Sequence, residues 1–214
     1  SSFTFAEKHG YNAPLFNPEI SEIRKRENDG RKYIGKKEIF EEIFKGGIPD
    51  ICTGISERDI YFKSYVNTYI ERASSEFQFR NFISVVALRT AQELHYDQIA
   101  STVGIDVRTC KRWISILQTS GIIYLLQPYM SNVSNRIIKA PKLYFMDTGL
   151  CAYLCKWPNA EMLESCAMNG AFFETYVVSE IIKNFYAYNK DPKESLFYYR
   201  DIDQKEIDLV YVNA

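Results

Sequence analysis

The sequence has few of the side chains from which metal sites and disulfide frameworks are built. It contains five scattered cysteines and two histidines. An odd, scattered set of cysteines is a poor disulfide framework and favours a reducing compartment, so we expect a cytoplasmic protein. Cys151 and Cys155 lie one helical turn apart, but no histidine is near them in sequence. We therefore expect buried apolar thiols there rather than half of a zinc site.

The sequence also lacks a long apolar run and an excess of charge. No apolar run approaches the roughly 20 residues of a membrane helix, and residues 1–5 show no secretory leader. We therefore expect no membrane partner. With 26 Lys and Arg against 27 Asp and Glu, the formal net charge is −1. This balance excludes a polycationic nucleic-acid binder, so an anion site must come from local clustering of basic residues.

Apolar residues make up 46% of the 214 residues, which is enough for a packed core. Residues 1–35 mix proline, glycine and charge, and are predicted to be a linker or a remnant of another domain. Residues 36–90 are predicted to be a helical segment. Its helices are expected over residues 36–45, 59–72 and 77–92, because apolar residues recur there at spacings of three and four.

Residues 91–145 carry the clearest local pattern. Residues 97–105 predict a short helix closed by a glycine turn, and Asp106 is the expected N-cap of a helix that runs to Thr119. This second helix has one apolar face, and its opposite face carries Arg108, Thr109, Lys111, Arg112 and Ser115. Strands are expected over residues 122–126 and in the segments 136–139 and 142–145. The order predicts a winged helix-turn-helix.

Charge within this segment favours contact with DNA. Between residues 107 and 142 there are six basic residues and no acidic one: Arg108, Lys111, Arg112, Arg136, Lys139 and Lys142. Such a positive face would bind phosphates, and its binding would depend on salt. The alternative is a protein-docking module with solvated bases.

Residues 146–214 predict a helix over 170–185 and strands over 196–200 and 206–212. Glu206 and Asp208 share one face of the last strand and, with Glu174, could hold Mg²⁺. Alternatively, Glu206 faces solvent and Asp208 is a structural hydrogen-bond acceptor. Asp147, in a sequence like the Asp-Thr-Gly of dimeric aspartic proteases, is better explained as a helix N-cap after a strand.

Several short motifs occur in a fixed order between residues 42 and 212. They are Lys45-Gly46-Gly47-Ile48-Pro49, Tyr69-Ile70-Glu71-Arg72, Ile122 to Leu126, Lys142 to Leu150, Phe173-Glu174 with Glu180, and Tyr199-Arg200 with Glu206-Ile207-Asp208. Together they resemble the C-terminal half of a prokaryotic AAA-type ATPase family whose C-terminal domain has no known function.

The resemblance implies an N-terminal P-loop domain that binds ATP, then helices, a winged helix and a domain similar to the PD-(D/E)xK nuclease fold. In that fold a helix Glu and a strand Asp hold the metal with a following Glu-x-Lys. Glu174 and Asp208 match the first two, and the sequence ends before the third. The expected fold is therefore α+β, with a partial restriction-endonuclease-like domain over residues 146–214, in a fragment of a longer parent.

Our functional expectation is duplex DNA binding through the winged helix, with contacts from Arg108, Thr109, Lys111, Arg112, Arg136 and Lys139. One alternative is a non-catalytic interaction or homo-oligomerisation module that serves the ATPase domain of the same parent. The other is a Mg²⁺-dependent nuclease in the intact parent, with Glu174 and Asp208 as catalytic residues and Glu206 as a further metal ligand. We expect this chain alone to be inactive and to carry no cofactor of its own.

Overall fold

The structure, a computed structural model, describes residues 2–8, 35–70, 77–129, 140–201, 203 and 205–212. In this part of the chain the α-helices are α1 (Phe5–Lys8), α2 (Lys36–Lys45), α3 (Pro49–Cys52), α4 (Arg58–Tyr65), α5 (Phe77–Ala87), α6 (Tyr96–Val103), α7 (Val107–Thr119), α8 (Thr148–Leu154), α9 (Ala160–Ser165) and α10 (Asn169–Ala187). A π-helix (Val66–Ile70) follows α4, and a 3-10 helix (Pro192–Glu194) precedes the fourth strand. The strands are β1 (Gln92–Glu93), β2 (Ile123–Leu126), β3 (Lys142–Phe145), β4 (Leu196–Arg200) and β5 (Glu206–Tyr211).

This mixture of helices and small antiparallel sheets confirms the expected α+β class. None of the described helices is both long and apolar enough to cross a lipid bilayer. The linker expected over residues 1–35 falls largely outside the described residues. The strand segment expected over residues 136–139 lies wholly outside them.

The first sheet has the strand order β1-β3-β2, and both pairings are antiparallel. Helices α6 and α7 follow β1, and β2 and β3 follow α7. With α5 before β1, this is the element order that a winged helix requires. The turn between α6 and α7 is made by Gly104, whose φ of 77° is a left-handed conformation that favours glycine.

Helix α5 is shorter than its apolar spacing predicts. It ends at Ala87 rather than at Gln92. Beyond it, Ala91 donates its backbone N–H to the Leu143 carbonyl at 2.7 Å, and Gln92 pairs with Leu143 in the sheet. Arg89, Thr90 and Gln92 donate to carbonyls three residues back and form a turn, while the Ala91 N–H bonds to β3. This contact with β3 is an outcome of tertiary structure that local spacing does not encode.

Strands β2 and β3 are buried on both faces. On one face, Leu125 and Leu143 join the core formed with α5, α6 and α7. On the other face, Leu126 and Tyr144 pack with residues of α10 and β4. Side chains alternate along a strand, so the sheet separates two apolar cores.

Helix α7 is anchored by its apolar face. Trp113 is fully buried and lies edge-on to Phe79 and Phe82 of α5, with 5.1 Å between ring centroids in each pair. Such aromatic pairs contribute about 0.5–1.5 kcal/mol beyond the area they bury. Asp106 caps the helix, as expected, because its carboxylate accepts the Thr109 N–H at 2.8 Å.

The hairpin of β4 and β5 is a separate two-stranded sheet that contacts the segment after β2. Tyr198 donates its backbone N–H to the Gln127 carbonyl at 3.0 Å, and Tyr129 donates to the Tyr198 carbonyl. Pro128 forms a parallel bridge with Tyr198. Helix α10 packs against β3, and α10 and the hairpin therefore both lie against the winged-helix sheet.

The thiol predictions hold for Cys151 and in part for Cys155. Cys151 is buried and donates to the Ala87 carbonyl at 3.6 Å, whereas Cys155 is half-buried. Burial raises the pKa of the Cys110 thiol to about 11, which keeps it protonated and unreactive at neutral pH.

A buried carboxylate joins α2, α8 and the N-terminal segment. Asp147 accepts the N–H of Leu150 and of Gly47, each at 2.8 Å, and the hydroxyl of Ser2. A Cβ atom at Gly149 would lie 2.8 Å from the Gly46 Cα, so the two glycines permit a close backbone approach. The interpretation of Asp147 as a helix N-cap is confirmed.

We expect Asp147→Ala to lower the free energy of unfolding by about 2–4 kcal/mol, because it leaves two buried N–H donors without an acceptor. Urea unfolding would measure the loss. Asn159→Ala is the matched control: Asn159 caps α9 at an exposed site, where a lost cap costs about 1 kcal/mol. Equal losses in the two variants would contradict this account of Asp147.

Candidate functional site

Helix α7 presents three exposed basic side chains on one face. Arg108, Lys111 and Arg112 are spaced by three and four residues, and all are exposed. We call these three residues the basic face. Within the described part of the chain, none of them takes part in an ion pair. The Lys111 ammonium lies 5.5 Å from the centre of the Tyr96 ring, which orients its side chain along α6.

Thr109 takes part in the N-cap of α7, and its expected contact with DNA stays a prediction. Its hydroxyl donates to the Asp106 carboxylate at 2.6 Å, in addition to the backbone bond of the cap. These hydrogen bonds lower the pKa of Asp106. The Thr109 hydroxyl hydrogen is thus used within the cap, which leaves only its lone pairs for a partner. Arg136 and Lys139 lie outside the described residues, so their contacts with DNA stay a prediction.

Lys142 does not belong to the positive face that the sequence suggested. Its side chain is 4% exposed, because its position in β3 directs it, with Tyr144, toward α10 and the hairpin. Its ammonium contacts three carboxylates instead of solvent. The assignment of Lys142 to an exposed basic surface is therefore wrong.

The structure brings together the three acidic residues that the sequence singled out. We call Glu174 of α10 with Glu206 and Asp208 of β5 the carboxylate cluster. The Lys142 Nζ lies 2.9 Å from Glu174 Oε1 and 3.1 Å from Asp208 Oδ1, and it also contacts Glu206 Oε1. Tyr144 donates its hydroxyl to Glu174 at 2.6 Å.

Electrostatics fix the protonation states in this cluster. Burial alone would lower the pKa of Lys142, but hydrogen bonds to Glu206 and Glu174 and the charge of Glu174 raise it above its ordinary value. Burial, and then the charge of Glu174, raise the pKa of Tyr144. Lys142 is therefore a cation at neutral pH, and Tyr144 is a neutral hydrogen-bond donor.

A polar cleft of about 290 Å³ lies beside the cluster. Arg200 donates to Glu93 at 2.9 Å and lies 3.6 Å from Glu206, so it connects the hairpin to β1. His95 lies 3.6 Å from Glu93 at the start of α6. The charges that line this cleft are mostly paired with one another.

The arrangement of the three carboxylates suits an ammonium group better than it suits Mg²⁺. The Lys142 ammonium lies between the carboxylates, and the described residues contain no group of three His, Cys, Asp or Glu placed to hold a metal ion. Magnesium binds oxygen ligands at about 2.0–2.1 Å in near-octahedral geometry. The role of Glu174, Glu206 and Asp208 as metal ligands stays a prediction that the observed contacts do not favour.

Sequence reasoning found the acidic members of this site and missed Lys142, Tyr144, Arg200 and Glu93. One feature of the sequence could have indicated Lys142. A lysine inside the apolar strand Lys142–Phe145 is unusual, because a buried charge requires a partner. Alternation places Lys142 and Tyr144 on the same face, but which element covers that face depends on the packing of α10.

We expect Lys142→Met to lower the free energy of unfolding at neutral pH by about 2 kcal/mol. This is less than the roughly 3–5 kcal/mol of a fully buried pair, because the Asp208 side chain is 56% exposed. The folded-state pKa of Lys142 is raised, so its contribution is complete below the ordinary value of 10.5 and is lost as pH rises through the folded value.

Urea unfolding of both proteins at neutral pH and above pH 10.5 would test this dependence. The difference between wild type and Lys142→Met should narrow in the alkaline range. A difference that does not change with pH would mean that Lys142 stabilises the fold by packing rather than by charge.

The sequence of residues 36–161 matches the domain of unknown function DUF8612, and residues 169–214 match the domain of unknown function DUF4143. DUF4143 is found in proteins associated with AAA-like ATPases. Lys142 therefore lies in the first matched region and the carboxylate cluster in the second.

The chain is 26% identical over 176 residues to uncharacterized proteins from Mycobacterium bovis and Mycobacterium tuberculosis. The match covers 77% of this chain and 38% of each relative, so the chain spans well under half of their length. No solved structure matches the sequence. Because residues 36–161 are more than half of the chain, the protein belongs to the DUF8612 family.

Proposed function

We propose that this chain binds duplex DNA, with α7 in the major groove. The observation that carries the proposal is the basic face: three exposed cations on a helix whose opposite side is buried in the core. A helix fits the major groove, which is about 12 Å wide, and the second helix of a helix-turn-helix commonly enters it.

The local charge supports an anionic partner. Residues 107–129 contain Arg108, Lys111 and Arg112 and no acidic residue, although the whole chain has a net charge of −1. Asp106 precedes them and adds one negative charge, because hydrogen bonds from Thr109 lower its pKa, but the three cations outnumber it. The positive potential is thus concentrated on one face of one helix, where it would attract phosphates.

The position of each cation on α7 suggests its role. Arg108 is in the first turn, and the N-terminal residues of a recognition helix are the ones that reach base edges. An arginine there can donate two hydrogen bonds to guanine. Lys111 and Arg112 lie one turn later, where contacts to the phosphate backbone would position the helix.

We propose further that the chain is the DNA-binding region of a longer ATPase-associated protein. The support is the DUF4143 match and the greater length of the mycobacterial relatives. ATP would then bind elsewhere in that longer protein, and binding of DNA by α7 would need no metal or cofactor. The basic face would couple DNA occupancy to the ATPase.

We expect Lys111→Ala combined with Arg112→Ala to weaken binding to any duplex. The slope of log K against log salt should fall in magnitude by about 2, because each lost phosphate contact removes about 0.9. Filter binding at several salt concentrations would measure both quantities. Lys190→Ala combined with Lys193→Ala is the control, since it removes two exposed lysines beyond α10.

An unchanged slope of log K against log salt in the Lys111→Ala, Arg112→Ala protein would contradict the proposal. A wild-type chain that shifts no duplex and forms a stable oligomer in light scattering would instead support the protein-docking alternative. A nuclease would be recognised by cleavage that depends on Mg²⁺ and on Asp208.

The longer natural protein gives a second test. We expect it to hydrolyse ATP, and we expect duplex DNA to change the rate of hydrolysis. Lys111→Ala combined with Arg112→Ala should abolish the effect of DNA and leave the rate without DNA unchanged. Hydrolysis that responds to DNA equally in both proteins would place the DNA site outside α7.

A further inference from the structure

We propose that Lys142 is the resident cation of the carboxylate cluster, that it occupies the position of a divalent metal, and that it joins the two domains of the chain. The inference does not depend on DNA binding, because Lys142 is buried and is not part of the basic face.

The numbers of donors and acceptors match. An ammonium group has three N–H donors, and the Lys142 Nζ contacts one oxygen from each of Glu174, Glu206 and Asp208. The separations of 2.9 and 3.1 Å to Glu174 and Asp208 are those of charge-assisted hydrogen bonds. A Mg²⁺ ion would require shorter distances and about six oxygen ligands.

Lys142 cannot easily leave this position. Strand β3 is the central strand of its sheet, and Lys142 is paired with Glu93 on one side and Leu126 on the other. The side chain is 4% exposed, so its aliphatic part is also enclosed. To admit a metal ion, the ammonium would have to give up its contacts with all three carboxylates and move toward the neighbouring cleft, where Glu93 and Glu206 already contact Arg200.

The remaining charge of the cluster is stabilised by other contacts and by solvent rather than by a metal. Glu174 accepts a hydrogen bond from Tyr144, Glu206 lies 3.6 Å from Arg200, and Asp208 is half exposed to water. Glu174 and Glu206 thus each have a second stabilising contact besides Lys142, and Asp208 is open to solvent. Three converging carboxylates usually bind a cation because they repel one another. Here side chains of the chain itself reduce that repulsion.

The cluster also forms the junction between the two matched regions. Lys142 belongs to residues 36–161, whereas Glu174, Glu206 and Asp208 belong to residues 169–214. One lysine therefore connects the winged-helix sheet to both α10 and the hairpin of β4 and β5. A metal ion would hold the acidic residues to each other, whereas Lys142 holds them to the winged helix.

The test is isothermal titration of the full chain with Mn²⁺, which serves as the probe for a divalent cation. We expect no binding to wild type. Lys142→Met keeps an unbranched apolar stem and removes the ammonium group, and we expect it to bind one Mn²⁺ ion per chain. Its melting temperature should be higher with Mn²⁺ than with chelator, while that of wild type should not change.

Lys183→Met is the matched control, because Lys183 is also largely buried and forms an ion pair with a single carboxylate, Glu180. We expect no Mn²⁺ binding to this variant. Adding Asp208→Asn to Lys142→Met should abolish the Mn²⁺ binding that the single substitution created.

Mn²⁺ binding by wild type that is lost in Asp208→Asn would overturn the proposal. So would a Lys142→Met protein that is folded by circular dichroism and binds no Mn²⁺. If Lys142→Met fails to fold, Mn²⁺ binding can still be compared between wild type and Asp208→Asn. That comparison tests the proposal without a substitution at Lys142. The absence of wild-type binding in that comparison supports Lys142 as the resident cation.

Discussion

Strand β3 is paired along both edges and covered on both faces, and the rest of the architecture is arranged around that constraint. Leu143 and Phe145 contribute to the core beneath α5 and α7. Lys142 and Tyr144 face α10 and the hairpin, where they meet Glu174. Four consecutive residues thus supply packing for one core and polar contacts on the side of the other. A one-residue change in the register of this strand would exchange its apolar and polar side chains between the two faces. Both the core packing and the polar contacts would then be disrupted.

The two candidate sites use cations in opposite ways. The basic face keeps its cations exposed and, within the described residues, without ion pairs, which leaves their charge available to a partner. Lys142 is enclosed, and its charge interacts with carboxylates of the same molecule. Both come from the same acid-free stretch of sequence, so density of basic residues alone does not identify an anion-binding surface.

Much of the fold follows from local sequence. Helices α2 and α7 have the predicted bounds because apolar spacing, caps and glycines agree in these segments. Strand β1 was missed because it has two residues and is held by β3 rather than by its own propensity. The acidic residues were found from spacing on one strand. Their contact with Lys142 depends on the docking of α10, which no local pattern encodes.

The burial of Trp113 between Phe79 and Phe82 has a consequence for recognition. In the proposed complex, a helix fixed by two aromatic contacts would meet the duplex as a rigid template, so little conformational freedom would remain to be lost on binding. The DNA, rather than the helix, would then have to change its shape on binding. Sequences with flexible pyrimidine–purine steps, which bend at low cost, would be preferred over stiff A-tracts even at base pairs that no side chain touches.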